Sequence, residues 1–289
     1  MDSSELERSP KSWGDVRLVV LGDSLIGGLS FKEIPAEDRP KLRARSFKGA
    51  RLHKLLPMVE PEIKKFKPDL LVLSVGRCDL AHLGCQHFPK ADHQHHVYTI
   101  SYDFSVKVAA TEIFQQWHSW LSKYNCRVLI ALTYPIDFQE YNYKKLQHCP
   151  ECKDEYTENG KRDIMMNRIQ EWGNLLTEQD IPVMYLDDVL KRINPDYIET
   201  DAVIEESDRA LVDGMKPSKK FAQNFFTVIR EATEKFFPDF MPSENNGVEN
   251  ESWESGDSSL TKKKDDVNGD DAPPVLPPPK KKPKPAFRF

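Results

Sequence analysis

Two observations predict an α/β domain with a parallel sheet that is covered on both faces. Short and almost wholly apolar runs, such as residues 70–75, have the composition of strands buried on both sides. Longer segments between them repeat apolar residues every three or four positions, which is typical of amphipathic helices. Strands that alternate with helices form parallel sheets, because each crossover helix packs against one face. We therefore predict a three-layer α/β domain.

The elements alternate along residues 15–240. The predicted strands cover residues 16–21, 42–46, 70–75, 127–132 and 183–186. The predicted helices cover residues 51–66, 106–124, 162–177 and 219–237. Two segments without a clear pattern, at about 81–103 and 134–160, read as long loops. Loops of this length in a compact domain are usually functional or disordered.

Both ends of the chain have the composition of disordered segments. Residues 241–289 are rich in Ser, Asn, Asp, Glu, Lys and Pro and poor in large apolar side chains, so burial cannot offset their ordering entropy. Residues 1–14 form a shorter segment of the same kind. The tail ends in a Pro/Lys-rich run at 277–285, which favours an extended conformation. That run suits nuclear import, a phosphate or anionic-lipid contact, a proline-groove ligand, or a solubilising role alone.

Charge and cysteine content limit the class of protein. The net charge of -5, from 41 basic and 46 acidic residues, argues against a protein that coats nucleic acid, although a local basic patch is compatible with it. No run approaches the roughly 20 apolar residues of a membrane span, and the N-terminus has no apolar signal segment. With no secretory signal, the five cysteines are expected to be reduced, in the cytoplasm or nucleus.

The first strand runs directly into Gly22-Asp23-Ser24-Leu25. A serine between the carboxyl end of a strand and the start of a helix lies where open α/β sheets bind ligands. The N–H groups there favour a developing negative charge, so this is a suitable place for a nucleophile. Asp23 is placed to cap the helix or to brace the turn. Such a tripeptide alone is also typical of an ordinary turn.

Three further blocks follow in order. Gly49 comes after the second strand, the pocket block Gly76-Arg77-Cys78-Asp79 comes after the third, and Asp213-Gly214-Met215-Lys216-Pro217 precedes the last helix. Together with the Gly-Asp-Ser block, this order resembles the SGNH (GDSL-type) hydrolase family over nearly the whole body. Residues 47–80 are especially similar to members found in animals and their mobile elements.

The resemblance implies a fold and a role for each matching residue. The family fold is a flavodoxin-like, doubly wound sheet whose first and third strands are neighbours. Ser24 then stands at the nucleophile position, Gly49 at the glycine whose N–H binds the oxyanion, and Asp213 at the acid that orients the base. The family's Asn position holds Cys78, and its His position holds Lys216.

Both departures affect the chemistry. A thiol is a weak hydrogen-bond donor, and the loss of one oxyanion donor costs roughly 2.7–4 kcal/mol. A protonated lysine cannot accept a proton unless burial lowers its pKa, and Asp213 would favour the charged ammonium. We therefore predict a catalytically impaired, SGNH-like pseudoenzyme that acts as a binding or scaffolding module.

Two alternatives stay open. The first is an active serine ester hydrolase of the esterase or deacetylase type, with a neutral Lys216, His53 or His82 as the base, or with Cys78 as the nucleophile. The second is a nucleic-acid-associated protein that uses the Lys-rich tail. Either can be tested by assay.

Two other features point to ligands. Arg77 beside Lys216 would make the pocket cationic and suit a carboxylate, a phosphate or an RNA backbone, or Arg77 pairs with Asp23 or Asp79 instead. Cys149 and Cys152 have half of a zinc-site spacing, which the histidines of the other long loop would complete if the two loops meet. Such zinc would be structural, and we expect no catalytic cofactor.

Overall fold

The structure is a computed structural model that describes residues 11–29, 39–83, 97–146, 160–195, 210–212 and 215–241. The strands are β1 (Arg17–Gly22), β2 (Lys41–Ser46), β3 (Leu70–Val75), β4 (Ala81–Leu83), β5 (Tyr98–Ile100), β6 (Arg127–Leu132) and β7 (Val183–Tyr185). The helices are α1 (Ser24–Gly27), α2 (Leu52–Phe66), α3 (Arg77–Leu80), α4 (Val106–Tyr124), α5 (Phe138–Lys145), α6 (Gly160–Thr177), α7 (Asp187–Ile193) and α8 (Lys219–Phe236).

Five of the described strands form one parallel sheet in the order β2-β1-β3-β6-β7. This order is that of a flavodoxin-like, doubly wound sheet, so the predicted fold class is confirmed. The predicted boundaries of these strands and of α2, α4, α6 and α8 agree with the structure to within two residues.

Two separate hydrophobic layers explain why the strands read as continuous apolar runs. In β1, Val19 and Leu21 pack into the layer that holds α2, α4 and α6. Leu18 and Val20 of the same strand pack into the layer that holds α1, α7 and α8. Both faces of the sheet are therefore buried, as parallel sheets require.

The two segments predicted as long loops contain regular structure, so that prediction is wrong for their described parts. Strands β4 and β5 pair antiparallel within the first segment, and α5 lies in the second. Each of these strands has three residues and α5 is mostly polar, so neither shows a clear periodicity.

The domain is slightly longer at both ends than predicted. Trp13 is buried in a short 3₁₀ helix, and the Lys11 N–H donates to the Phe240 carbonyl at 3.0 Å. Met241 is also buried. The prediction of disorder is therefore wrong for residues 11–14 and 241, while residues 1–10 and the rest of the tail lie outside the described residues. No described helix is long and apolar enough to cross a membrane.

Candidate functional site

The carboxyl ends of β1 and β3 bring the serine block and the pocket block together. Gly22 at the end of β1 is in register with Ser74 of β3. Helix α1 begins at Ser24 directly after β1, and α3 begins at Arg77 directly after β3. Ser24 is partly exposed. The predicted neighbourhood of these two turns is thus present at the edge of the sheet where such folds bind ligands.

The buried Asp23 carboxylate joins the two turns. One oxygen accepts the Leu25 N–H at 2.8 Å and caps α1, and the other accepts the Cys78 N–H at 3.3 Å. The backbone carbonyl of Asp23 accepts the Ser46 hydroxyl at 2.7 Å, which adds the end of β2. Burial raises the pKa of Asp23, and the positive charge of Arg77 with the two N–H donors counters that effect. Asp23 therefore positions the serine turn.

Two glycines permit the close approach of these turns. A Cβ atom at Gly22 would lie 2.5 Å from Ile26 Cγ1 and 2.9 Å from Ser74 Cβ. Gly76 has a φ of 110°, a conformation that side-chain-bearing residues rarely adopt. Larger residues at either position would push the serine turn and the pocket block apart.

Asp79 connects the pocket block to α2. Its carboxylate is 2% exposed and accepts the N–H of Leu52, the first residue of α2, at 2.8 Å. Burial raises the pKa of Asp79 to about 6, the N–H groups of Leu52 and Gly76 partly offset this, and the Asp23 charge adds to the rise. Gly49 lies three residues before Leu52, is exposed and has a φ of 70°.

Cys78 is not an activated nucleophile. Burial raises the pKa of its thiol to about 12, and the neighbouring Asp23 charge acts in the same direction. A reactive cysteine needs the thiolate, which this environment disfavours. The raised pKa of this thiol argues against the alternative in which Cys78 replaces Ser24 as the nucleophile, and that alternative stays a prediction.

Arg77 is a buried connection between the pocket block and the segment that carries Lys216. Its side chain is 3% exposed, and a guanidinium N–H donates to the Met215 carbonyl at 3.0 Å. The Tyr134 hydroxyl donates to the same carbonyl at 2.5 Å. Arg77 thus fixes the backbone before Lys216 and does not offer an open cation to an anionic ligand. Its charge interacts with Asp23, as one predicted alternative required.

The described residues on the two sides of the predicted base block pair with each other. Leu211 bridges Pro217, and the Val212 N–H donates to the Lys216 carbonyl at 2.9 Å. The Lys216 side chain is exposed. Asp213 and Gly214 lie outside the described residues, so the predicted role of Asp213 stays a prediction.

Comparison with known proteins places this arrangement in a fold family. No family model matches the sequence, and no curated protein matches it. A candidate acylhydrolase from Bacteroides fragilis is 12% identical and superposes with a TM-score of 0.50, over 81% of this chain and 98% of that one. The chain shares the fold of that acylhydrolase, a doubly wound parallel α/β sheet.

Two other solved structures give lower scores. A GDSL-like lipase from Bacteroides thetaiotaomicron is 12% identical, covers 79% of this chain and 92% of its own, and has a TM-score of 0.47. A lipase/acylhydrolase from Enterococcus faecalis is 15% identical, covers 76% and 96%, and has a TM-score of 0.43. At such identities the likeness concerns the fold.

Neither predicted substitute histidine is bonded to the serine. His82 pairs with the Ser101 hydroxyl at 2.9 Å. His53 is exposed on α2 and lines a groove with Trp120. Across the described ranges no hydrogen bond joins Ser24 to a histidine.

The zinc prediction is not resolved. Cys149 and Cys152 lie outside the described residues, as do most histidines of the other segment. The described part of the chain contains no cluster of three metal-binding side chains.

The structure adds residues that sequence patterns did not reveal. The Arg77 guanidinium lies over the Tyr134 ring, and the buried Asn142 holds Tyr98 by two hydrogen bonds; all three residues lie in the segments predicted as loops. Their only sequence signal is the presence of aromatic residues in otherwise polar segments.

Proposed function

We propose that this chain is an SGNH-fold protein with impaired hydrolysis that serves as a binding or scaffolding module. One observation carries the proposal: in the part of the chain that the structure describes, no histidine bonds to Ser24, and Lys216, which the sequence predicts at the base position, is exposed. A lysine ammonium carries three hydrogen-bond donors and no acceptor, so it cannot take the serine proton.

The residue at the predicted oxyanion-donor position supports the same proposal. Cys78 stands where the family carries an amide donor, and its thiol is a weak donor. The loss of one such donor typically lowers the rate by about 10²–10³-fold. A positioned general base contributes about 10²–10⁴-fold. With both missing, ordinary ester turnover at this serine falls close to the background rate.

The framework around the serine is nevertheless retained, and this supports a binding role. Asp23 holds the serine turn against the pocket block, Asp79 holds that block against α2, and Arg77 holds the segment before Lys216. These contacts keep the edge of the sheet organised without requiring catalysis. A preorganised site of this kind binds ligands at a low entropic cost.

The proposal is tested by measuring hydrolysis of p-nitrophenyl acetate with the full chain and with Ser24→Ala. Because Ser24 is partly exposed, the substitution leaves the packing intact. We expect the two proteins to give equal, background rates. A rate that exceeds background and is lost in Ser24→Ala would contradict the proposal and support an active ester hydrolase.

That alternative function is favoured by one observation, the partly exposed Ser24 directly at the carboxyl end of β1. It requires a base from Lys216 in its neutral form. Such a lysine gives a pH–rate profile that rises well above neutrality. A Ser24-dependent rate that increases steadily toward pH 10 would identify it.

A further inference from the structure

An open cavity of about 340 Å³ lies at the edge of the sheet opposite to Ser24. It is lined by Arg17, the first residue of β1, and by Asp69, which directly precedes β3. The ends of two helices also line it, since Lys67 caps the C-terminus of α2 and Asn125 caps the C-terminus of α4. Because Ser24 follows the carboxyl end of β1, this cavity at the amino ends of the strands is separate from the serine site.

The buried Asp69 carboxylate fixes one cation at the wall of the cavity. Arg17 donates from Nε and Nη2 to its two oxygens at 3.2 Å and 2.9 Å, and Lys11 Nζ lies 3.0 Å from Oδ1. Burial would raise the pKa of Asp69, but the hydrogen bonds from Arg17 hold it well below its usual value. Arg17 Nη1 has no partner among the described residues, and the side chain is 46% exposed, so two N–H groups are available to a ligand.

Glu60 holds two further cations next to each other. Its Oε1 atom accepts from Lys64 Nζ at 2.9 Å and from Lys123 Nζ at 2.8 Å. Hydrogen bonds from Lys123, Tyr124 and Lys64 lower the pKa of Glu60 to about 2, so this carboxylate is ionised at neutral pH. A single negative charge is thus shared between two ammonium groups that line the cavity.

The cavity therefore has an excess of positive charge. Five cations and two carboxylates line it or bind its lining residues, a net charge of +3: Lys11, Arg17, Lys64, Lys67 and Lys123 against Asp69 and Glu60. Lys67 is exposed, and no described side chain pairs with it. The C-terminal ends of α2 and α4 contribute about half a negative charge each, so about two positive charges stay uncompensated. The whole chain carries a net charge of -5, so this excess is a local feature.

We propose that this cavity binds a small molecule through a phosphate monoester group. Such a group carries a charge of about -1.5 to -2 at pH 7, which matches the uncompensated positive charge. Arg17 offers N–H donors of fixed geometry to the phosphate oxygens, and Lys67 adds a flexible ammonium. The buried Ile63 and Pro68, together with Tyr124, provide apolar surface for the rest of the molecule. The inference does not depend on the proposed function, because it uses no residue at the serine edge.

The test is isothermal titration calorimetry of the full chain at pH 7.5 and low salt, because salt screens exposed charges. The probes are phenyl phosphate and phenyl sulfate, a monoanion of the same shape. Lys67→Gln removes the unpaired cation and keeps the N–H that donates to the Ile63 carbonyl. Glu60→Gln removes the carboxylate that two lysines share. Lys107→Gln is the matched control, because it lies at the other end of α4, about 24 Å along the helix from Lys123.

We expect saturable binding of phenyl phosphate by wild type and Lys107→Gln. The Kd should rise about 2- to 5-fold in Lys67→Gln and fall about 2- to 5-fold in Glu60→Gln, as for partly exposed ion pairs. A general loss of folding cannot produce shifts in opposite directions, and thermal unfolding of each variant confirms its fold.

Four results would overturn the proposal. Equal affinity in wild type and Lys67→Gln would place phosphate binding elsewhere on the chain, and a lack of saturable binding by wild type would leave no site. Phenyl sulfate that binds as tightly as phenyl phosphate would contradict the match to a dianion. An eight-nucleotide oligothymidylate that binds more tightly than phenyl phosphate would replace the small molecule with a nucleic-acid backbone.

Discussion

Replacing Asp79 with Asn removes a buried negative charge and keeps an oxygen that can accept the Leu52 N–H. Burial raises the pKa of Asp79 to about 6, above its usual value of 3.8. The folded protein therefore binds a proton between about pH 4 and pH 6 that the unfolded chain has already released. By linkage, this carboxyl lowers the free energy of unfolding as the pH rises through that window, and the loss is complete above it.

The magnitude follows from the size of the shift. A rise of about two pKa units, at 1.36 kcal/mol for each unit, gives a loss of up to about 3 kcal/mol at neutral pH. The Asn variant lacks this loss. Relative to wild type, its free energy of unfolding should therefore increase by up to about 3 kcal/mol between pH 4 and pH 7.5.

Urea unfolding of both proteins at half-unit pH steps measures this difference. Asp79→Ala is the matched comparison, because it removes the same charge and also the acceptor that caps α2. We expect the Ala variant to show the same pH dependence, displaced to lower stability by about 0.5–2 kcal/mol for the lost cap. A difference between Asp79→Asn and wild type that stays constant over this pH range would refute the reasoning.

Three other substitutions test the packing around the serine. Gly22→Ala should lower the free energy of unfolding by about 1–3 kcal/mol through overpacking, whereas Gly14→Ala, whose added Cβ meets nothing within 4 Å, should leave the urea midpoint nearly unchanged. Asn142→Ala should lower the free energy of unfolding by about 2–4 kcal/mol in the same measurement, because it removes the hydrogen-bond partners of the Tyr98 N–H and carbonyl. A loss below about 0.5 kcal/mol, on the order of a surface substitution, would contradict this role of Asn142. Arg77→Met should cost about 3–5 kcal/mol in thermal or urea unfolding, since it leaves a buried carboxylate without its counter-charge, and a neutral effect would show that the guanidinium does not hold this site together.

Much of the fold was predictable because each buried strand carries its own local signal. Runs such as residues 70–75 are apolar on both faces, and the sheet order then places Ser24 beside the Gly76 turn. The bounds of α1 and the presence of α3 were not predicted, because four residues are too few to show a helical period.

The hydrogen bonds that hold the site together join residues that are distant in sequence. The hydrogen bond from Leu52 to Asp79 joins residues 27 positions apart. The bond from Tyr98 to Asn142 joins residues 44 positions apart, and the bond from Tyr134 to Met215 joins residues 81 positions apart. No periodicity or short motif encodes such pairs, because each arises only when the sheet has brought its ends together. Arg77 shows the same limit: its charge suggested an open anion site, and its burial became evident only from the packing.

We propose that Ser24 is catalytically inactive because Lys216 and Cys78 have replaced the base and one oxyanion donor. The most direct measurement is turnover of p-nitrophenyl acetate by the double variant Lys216→His with Cys78→Asn, compared with wild type and with the same variant carrying Ser24→Ala. We predict that turnover appears only in the double variant, at least about 10²-fold above wild type, and vanishes with Ser24→Ala. Wild-type turnover that equals that of the double variant, or a double variant that gains nothing, would contradict the claim.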